Sequence, residues 1–236
     1  MTMIYKPKGG AGEYADLAVN LYTGCSHACV YCYCPKVLHK EPIQFHGVVA
    51  ARKDILKQVA KEAPLFCGME VFLCFTCDPY QPLEERELLT QRILELFYIN
   101  GVIPVVLTKN KLVRRDMALI KSCKGKVGMT IVFDNDDVRR QFEPEASTIQ
   151  ERYDTLKLFH DQGVPTWISM EPVIYPDEAL KAINATHEFV DMYKIGKINY
   201  NSKQENQDWS AFKKNATEVL DGYGKKYIFK NSLKEY

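Results

Sequence analysis

Short apolar runs alternate with longer amphipathic ones along most of the chain. "MEVFLCF" (69–75) is continuously apolar, as expected of a strand buried on both faces. "LEERELLTQRILELFYIN" (83–100) puts Leu88, Leu89, Ile93, Leu96 and Phe97 on one stripe and predicts a helix, with Gly101 as its stop. The alternation then repeats. "VIPVVLT" (102–108) predicts a strand, "KLVRRDMALIKSC" (111–123) a helix, and "VGMTIVF" (127–133) a strand. "STIQERYDTLKLFHDQG" (147–163) predicts a helix closed by Gly163, with Ser147 and Gln150 as its capping box. "VPTWISM" (164–170) and "FVDMYKIG" (189–196) predict strands flanking a helix at "PDEALKAIN" (176–184). Upstream, "ADLAVNLY" (15–22) reads as a strand and Arg52–Glu62 as a helix. A helix at about 208–221 and a short strand at "KYIF" (226–229) end the pattern, and the Gly- and Lys-rich first dozen residues are expected to be loose.

Strands alternating with helices imply parallel βαβ units. Six strong strands precede the tail: 15–22, 69–75, 102–108, 127–133, 165–170 and 190–196. Six units fall short of a closed eight-fold barrel. The economical reading is an α/β fold, an open partial (β/α)6 barrel of parallel strands with outer helices. Residues 1–13 are then a loose leader, 14–200 the partial barrel, and 201–236 a helix and tail packing on it. Functional side chains should gather at the C-terminal strand ends. The segments there are Cys25 onward, "TCDPYQP", "TKN", "FDND", "SMEP" and "KIGKIN", where the chain turns polar.

Composition narrows the setting. A chain of 236 residues, 46% hydrophobic and 26% charged, can bury a sizeable core. A net charge of +1 gives no general pull towards nucleic acid, a membrane or an acidic partner, although a local basic groove stays open. The N-terminal residues contain no apolar signal core, and no stretch is long enough to span a bilayer. The expected location is the cytoplasm. Oligomeric state is not legible. In a reducing compartment, eight cysteines are more often ligands or reactive thiols than disulfides.

Four of those cysteines crowd into "NLYTGCSHACVYCYCP" (20–35). Cys25, Cys29 and Cys32 have the spacing C-x3-C-x2-C, and Cys34 follows. A structural zinc ion needs four ligands, and a Cys-x-Cys pair is a cramped way to complete a tetrahedron. Three thiolates suit a cubane cluster with one iron left open. Both readings stand on spacing alone.

The motif, with an aromatic, Tyr31, just before the third cysteine, resembles the signature of the radical S-adenosylmethionine (SAM) enzymes. "DPYQPLE", "VLTKN…RRD" and "RRQFEPEAS" narrow the resemblance to the spore photoproduct lyase-like branch, over about residues 14–185. The resemblance implies a partial six-unit βα barrel carrying a 4Fe-4S cluster on Cys25, Cys29 and Cys32. It also implies that SAM binds the open iron. One electron from an external donor of flavodoxin or ferredoxin type cleaves SAM to a 5′-deoxyadenosyl radical, which takes a hydrogen atom from a substrate.

By the same resemblance, Thr76, Cys77 and Asp78 hold the amino group of SAM, and Lys109 and Thr130 its carboxylate and ribose. Glu171 meets the ribose or the substrate, and Tyr31 packs on the adenine or the cluster loop. Tyr33, Cys34 and Cys77 are the candidates for a catalytic role beside the radical. Each has a plainer reading as well: loop packing for Tyr31, surface solvation for Lys109, a helix cap for Glu171, a small buried residue for Cys34. His27 is expected to pack or cap the loop rather than ligate. Side-chain alternation along a strand places Cys74 and Cys77 on opposite faces, with Cys77 towards the cofactor and Cys74 under a helix.

The chain departs from photoproduct lyases in the second-strand cysteine region, where Cys74 and Cys77 do not align cleanly with the donor cysteine, and no convincing DNA-binding extension is expected in it. The substrate is therefore open, with a nucleic-acid base or nucleotide as one candidate. Cys67 and Cys123 adjoin helix ends and read as structural. The competing account, from another class, is a structural zinc- or cluster-binding module that supports RNA or partner binding without radical catalysis.

Overall fold

The computed structural model describes residues 2–197 and 207–236. Ten strands are present among them. They are β1 (Ile4–Tyr5), β2 (Ala18–Val19), β3 (Tyr22–Thr23), β4 (Ala50–Ala51), β5 (Glu70–Leu73), β6 (Ile103–Thr108), β7 (Lys126–Thr130), β8 (Thr166–Val173), β9 (Met192–Lys197) and β10 (Lys226–Phe229). Eight of them form one sheet in the order β1-β2-β5-β6-β7-β8-β9-β10; β3 and β4 pair separately. From β2 to β10 every pairing in the large sheet is parallel, and only β1 runs antiparallel, against β2. The sheet does not close, so the architecture is the open partial barrel with outer helices.

The pleat sorts each strand into two faces. Val71, Leu73, Val106, Val127, Met129, Ile168, Met170, Tyr193 and Ile195 face the outer helices and form the main core. The helix Leu89–Asn100 contributes Ile93, Leu94 and Phe97; Ile149–Asp161 contributes Leu156 and Phe159; Trp209–Gly222 contributes Phe212, Ala216 and Leu220. Each fully buried side chain of this kind contributes about 1.5–3 kcal/mol. The inner face carries a second cluster of Ala18, Phe72, Val105 and Trp167, with Tyr14, Phe75, Leu107 and Met192 against it. Gly128 is required here: a Cβ would lie 2.2 Å from the Trp167 ring that crosses it.

Several expected elements differ in detail. The 15–22 strand shrinks to Ala18–Val19, because Tyr22 leaves the sheet to pair with β4. The 83–100 helix breaks at Leu88 (φ 52°) into Leu83–Glu87 and Leu89–Asn100, since the buried Glu84 carboxylate accepts from the Thr90 and Gln91 amides and turns the chain. The 111–123 segment opens as a 3-10 turn (Lys111–Asp116) before the helix Met117–Ser122. The capping box is Thr148 with Glu151, one residue on from Ser147 and Gln150. Gly101 and Gly163 do end their helices, with φ of 67° and 73°.

The first residues are not loose. The Met3 and Ile4 amides donate to the Glu62 carboxylate, and Gly9–Glu13 forms a 3-10 helix whose Gly10 carbonyl accepts from Lys230 Nζ (2.9 Å). Nor is the C-terminal segment only an outer layer, because β10 extends the sheet beside β9. The Ile198–Asn199 end of "KIGKIN" and residues 201–206 lie outside the described residues.

Candidate active site

The cysteine loop leaves the sheet after β2 and is held from outside at nearly every turn. Gly24 (φ 77°) starts it; a Cβ there would meet the Val48 and Phe45 carbonyls at 2.5 and 2.6 Å. The Cys25 amide donates to the Phe45 carbonyl, and His46 Nδ1 lies 2.8 Å from the Cys25 carbonyl. Gln81 accepts from the Ser26 amide (3.0 Å) and donates to the Gly24 carbonyl (3.3 Å). The Val30 amide donates to the Phe142 carbonyl, and the Cys32 amide to that of Cys29.

Asp78 is the tie between this loop and two strand ends. Its buried carboxylate accepts from the Thr108 hydroxyl (2.6 Å) and the Lys109 and Tyr80 amides (2.8 Å each), and lies 3.3 Å from Nδ1 of buried His27. Burial alone would raise its pKa; His27 and the Thr108 and Tyr80 donors outweigh that and bring it down to about 2. Four protein groups thus face this carboxylate, which the sequence expects to meet an amino group. Asn20 holds the neighbouring chain, accepting from the Phe75 and Thr76 amides at 2.8 and 2.9 Å.

None of the cysteines is in a disulfide. Cys25, Cys34 and Phe45 are buried together, and Cys32 and Cys77 pack against them. Cys29 is not part of that cluster and feels the charges of Lys109, Glu143 and Cys32. Burial pushes the Cys25 thiol up, and the Asp78 charge adds to this, opposed by the His27 and Asp78 amides. Burial also pushes Cys29 up to about 12, against the pull of Lys109. Cys32 is brought down to about 6, chiefly by a hydrogen bond from the Cys34 thiol, whose own pKa rises in return. Among the described residues, no three His, Cys, Asp or Glu side chains converge on the position of a single ion. Three free thiols that stand apart on one loop fit a cluster, in which each thiolate takes a different iron.

Strand parity brings the other expected residues to the inner face. Lys109 continues the row of Val105 and Leu107, Thr130 that of Gly128, and Glu171 that of Trp167 and Ser169. The Lys109 ammonium makes no hydrogen bond or ion pair among the described residues and sits 5.7 Å from the Tyr31 ring centroid. Burial lowers its pKa, but Cys29, Glu143 and Asp78 raise it further, so it stays a cation. Tyr31 packs on Val132, Phe133 and Ile174 and donates a short hydrogen bond to Glu143, which is ion-paired with buried Arg152 at 2.6 Å. Burial would raise the Glu143 pKa; Arg152, Lys109 and Tyr31 hold it below its usual value.

The Tyr33 hydroxyl donates to the Phe75 carbonyl (2.6 Å), and the Cys34 thiol reaches the same oxygen at 3.6 Å. The parity argument for Cys74 and Cys77 fails on its premise. The strand ends at Leu73, and Cys74 has φ 67°, so neither cysteine is on a strand. Cys74 is buried in the main core, accepting from the Leu21 amide at 3.4 Å, whereas Cys77 touches the Cys25 and Cys34 cluster. Cys67 is exposed and Cys123 is buried, its thiol 3.6 Å from the Leu94 carbonyl.

Residues 19–190 match the model of the radical SAM superfamily. The chain belongs to that superfamily. A relative of this radical SAM chain, an uncharacterized protein of Methanocaldococcus jannaschii, is 26% identical over 94% of this chain and 84% of its own length. An uncharacterized protein of Mycobacterium tuberculosis is 28% identical over 66% of this chain, which spans about half (49%) of that relative. In fold, the chain is similar to spore photoproduct lyase: TM-score 0.74 at 12% identity, covering 97% of this chain and 80% of that one. A spore photoproduct lyase mutant with bound AdoMet and dinucleoside spore photoproduct gives a TM-score of 0.63 at 16% identity, over 92% and 63% of the two chains.

Sequence reasoning passed over Tyr14, Lys194 and Lys230. The Tyr14 hydroxyl donates to Glu171 (2.6 Å) and lies 2.7 Å from the Ser169 hydroxyl. Lys230 Nζ lies 3.5 Å from Glu171 and 3.9 Å from the Tyr14 ring centroid. Glu171 is therefore held by two partners from the chain termini, rather than capping a helix. Lys194 donates to the Tyr14 carbonyl (3.2 Å); burial first, then Lys230, bring its pKa down to about 8. A lysine inside the apolar β9 run, in register with Met192 and Gly196, was a signal available in the sequence.

Proposed function

We propose that the chain is a radical SAM enzyme akin to spore photoproduct lyase, with Cys25, Cys29 and Cys32 holding a 4Fe-4S cluster and an open iron facing the inner sheet. When bound, that cluster supplies the electron for reductive cleavage of SAM to methionine and a hydrogen-abstracting 5′-deoxyadenosyl radical. The observation that carries the reading is the pairing of three free thiols on a braced loop with a cation at the neighbouring strand end, Lys109, that has no ion pair among the described residues.

In this reading the residues divide the work. Asp78 and His27 fix the loop against the ends of β5 and β6. Lys109 attracts the SAM carboxylate, and Thr76 and Cys77 border the amino group. Thr130 and Glu171 face the ribose side, and Tyr31, anchored by Glu143, walls the site. Cys77, Tyr33 and Cys34 line the approach to the radical. Burial of the sheet's inner face keeps water and stray hydrogen donors away.

A nucleic-acid base or nucleotide is the proposed substrate class, supported by the dinucleoside ligand of the similarly folded lyase. An external one-electron donor and a reducing, cytoplasmic setting complete the account; no helix among the described residues is long and apolar enough to cross a membrane. Anaerobic incubation with SAM and dithionite tests it. The expected product is 5′-deoxyadenosine, formed only with reductant. Colourless, zinc-loaded protein that leaves SAM intact would return the loop to a structural role.

A further inference from the structure

Two cysteines outside the proposed ligand set share the turn that follows β5. Cys74-Phe75-Thr76-Cys77 has the C-x2-C spacing of a redox dithiol or half of a zinc site. Spacing alone does not bring two thiols together; here the backbone does. β5 ends at Leu73, and Cys74 takes φ 67°, a left-handed conformation that is costly for a residue with a Cβ. The chain thereby turns off the strand direction. Asn20 fixes the turn, its side-chain oxygen accepting from the Phe75 and Thr76 amides, while the Cys74 amide donates to the Val19 carbonyl (2.8 Å). The Cys74 and Cys77 thiols end up hydrogen-bonded to one another, and both pack on the main core.

A zinc ion would need further ligands around the pair. Among the described residues, no three His, Cys, Asp or Glu side chains come together to hold one. The two thiols also differ in access. Cys74 is buried, and burial keeps its thiol protonated; Cys77 is only half-buried. An accessible thiol with a buried one beside it suits thiol–disulfide exchange, in which the first meets the reagent and the second resolves the product.

We infer that Cys74 and Cys77 form a redox-active dithiol that exchanges with a small-molecule disulfide. The Cys77 thiolate attacks one sulfur of the reagent; the other half leaves as a thiolate and takes up a proton. Cys74 then loses its proton to solvent and attacks Cys77 Sγ in the mixed disulfide, releasing the second half as a thiol. One S–S bond of the reagent is exchanged for one in the protein, and two electrons and two protons pass to the reagent. The position gives the exchange a consequence. Cys77 packs against Cys25 and Cys34, and in the proposed function Thr76 and Cys77 border the amino group of SAM. Closing the disulfide therefore alters that border. This coupling, unlike the exchange itself, rests on the radical SAM reading.

The test uses the full chain carrying Cys67→Ser, which leaves Cys74 and Cys77 as the only thiols of the tryptic peptide 62–86. The folded protein is equilibrated with mixtures of reduced and oxidised glutathione, quenched in acid, unfolded, alkylated, digested and weighed. The expected result is a peptide that escapes alkylation and is lighter than the dithiol by two hydrogens. Its fraction should rise with oxidised glutathione and fall again when excess reduced glutathione is added. Adding Cys74→Ser should stop the exchange at a glutathione adduct on Cys77. A circular dichroism melt shows whether that variant is folded; if it is not, the peptide from the protein with Cys74 intact decides alone. Alkylation of both cysteines in every mixture overturns the inference, as does a peptide linked to Cys25 or Cys34 in place of the internal bond. With the cluster loaded, the disulfide form should lose SAM affinity in equilibrium dialysis; equal affinity in the two forms overturns the coupling. Failure of the reduced, loaded protein to bind SAM would count against the radical SAM reading, whereas the peptide masses judge the dithiol by themselves.

Discussion

The Asp78 carboxylate lies 3.3 Å from Nδ1 of buried His27, joining the cysteine loop to the segment that follows β5. The same carboxylate receives the Thr108 hydroxyl and the Lys109 amide from the end of β6. One side chain therefore sets the distance between the three thiols and the lysine opposite them. Asp78→Ala leaves His27 buried without its partner and two amides without an acceptor. Each buried donor left without its acceptor costs on the order of 1–3 kcal/mol. Urea unfolding should show that loss as a lower midpoint with the slope unchanged.

The proposed function places Cys34 in the wall of the site, outside the ligand set. Its thiol points at the Phe75 carbonyl and at Cys32. Cys34→Ala should bind iron and sulfide in the same amounts as the unaltered protein after reconstitution. Iron analysis that shows a loss as deep as that in Cys25→Ala would make Cys34 a ligand.

Lys109→Ala should weaken SAM binding while sparing iron content. One charge-assisted hydrogen bond is worth about 1.5–3 kcal/mol, or roughly 10- to 150-fold in affinity. Equilibrium dialysis with labelled SAM would measure it. Unchanged affinity would leave Lys109 as no more than a neighbour of the Tyr31 ring.

Lys194 gives the fold a pH signature. Its folded pKa is brought down to about 8, below that of an unfolded lysine at about 10.4. Between those values the unfolded chain holds a proton that the folded chain has released, so stability rises with pH across that window. Below about 8 both states are protonated and this contribution is flat. Lys194→Met should remove the rise, as measured by the difference in melting temperature between the two proteins at successive pH values.

Much of the architecture was legible because parallel strands buried on both faces leave continuous apolar runs, as at Val71–Leu73 and Val105–Leu107. β1 was not, because two residues, Ile4 and Tyr5, carry no periodicity and are fixed by Glu62 and Asn20 from elsewhere in the chain. The break at Leu88 was equally hidden; the helical stripe runs through it, and only the buried Glu84 carboxylate reveals the turn. In the site, residue types at strand ends pointed to Lys109, Thr130 and Glu171. What each one touches was beyond reach, since the partners Tyr14 and Lys230 come from opposite ends of the chain and meet at Glu171 only in the folded structure.

The central claim is that Cys25, Cys29 and Cys32 hold a cluster with one iron open to SAM. The electron paramagnetic resonance spectrum of the reconstituted, dithionite-reduced protein, recorded with and without SAM, tests it most directly. The account predicts a cluster signal that changes shape when SAM is added and that disappears in Cys25→Ala, Cys29→Ala and Cys32→Ala alike. A signal indifferent to SAM, or one that survives any of the three substitutions, would contradict it.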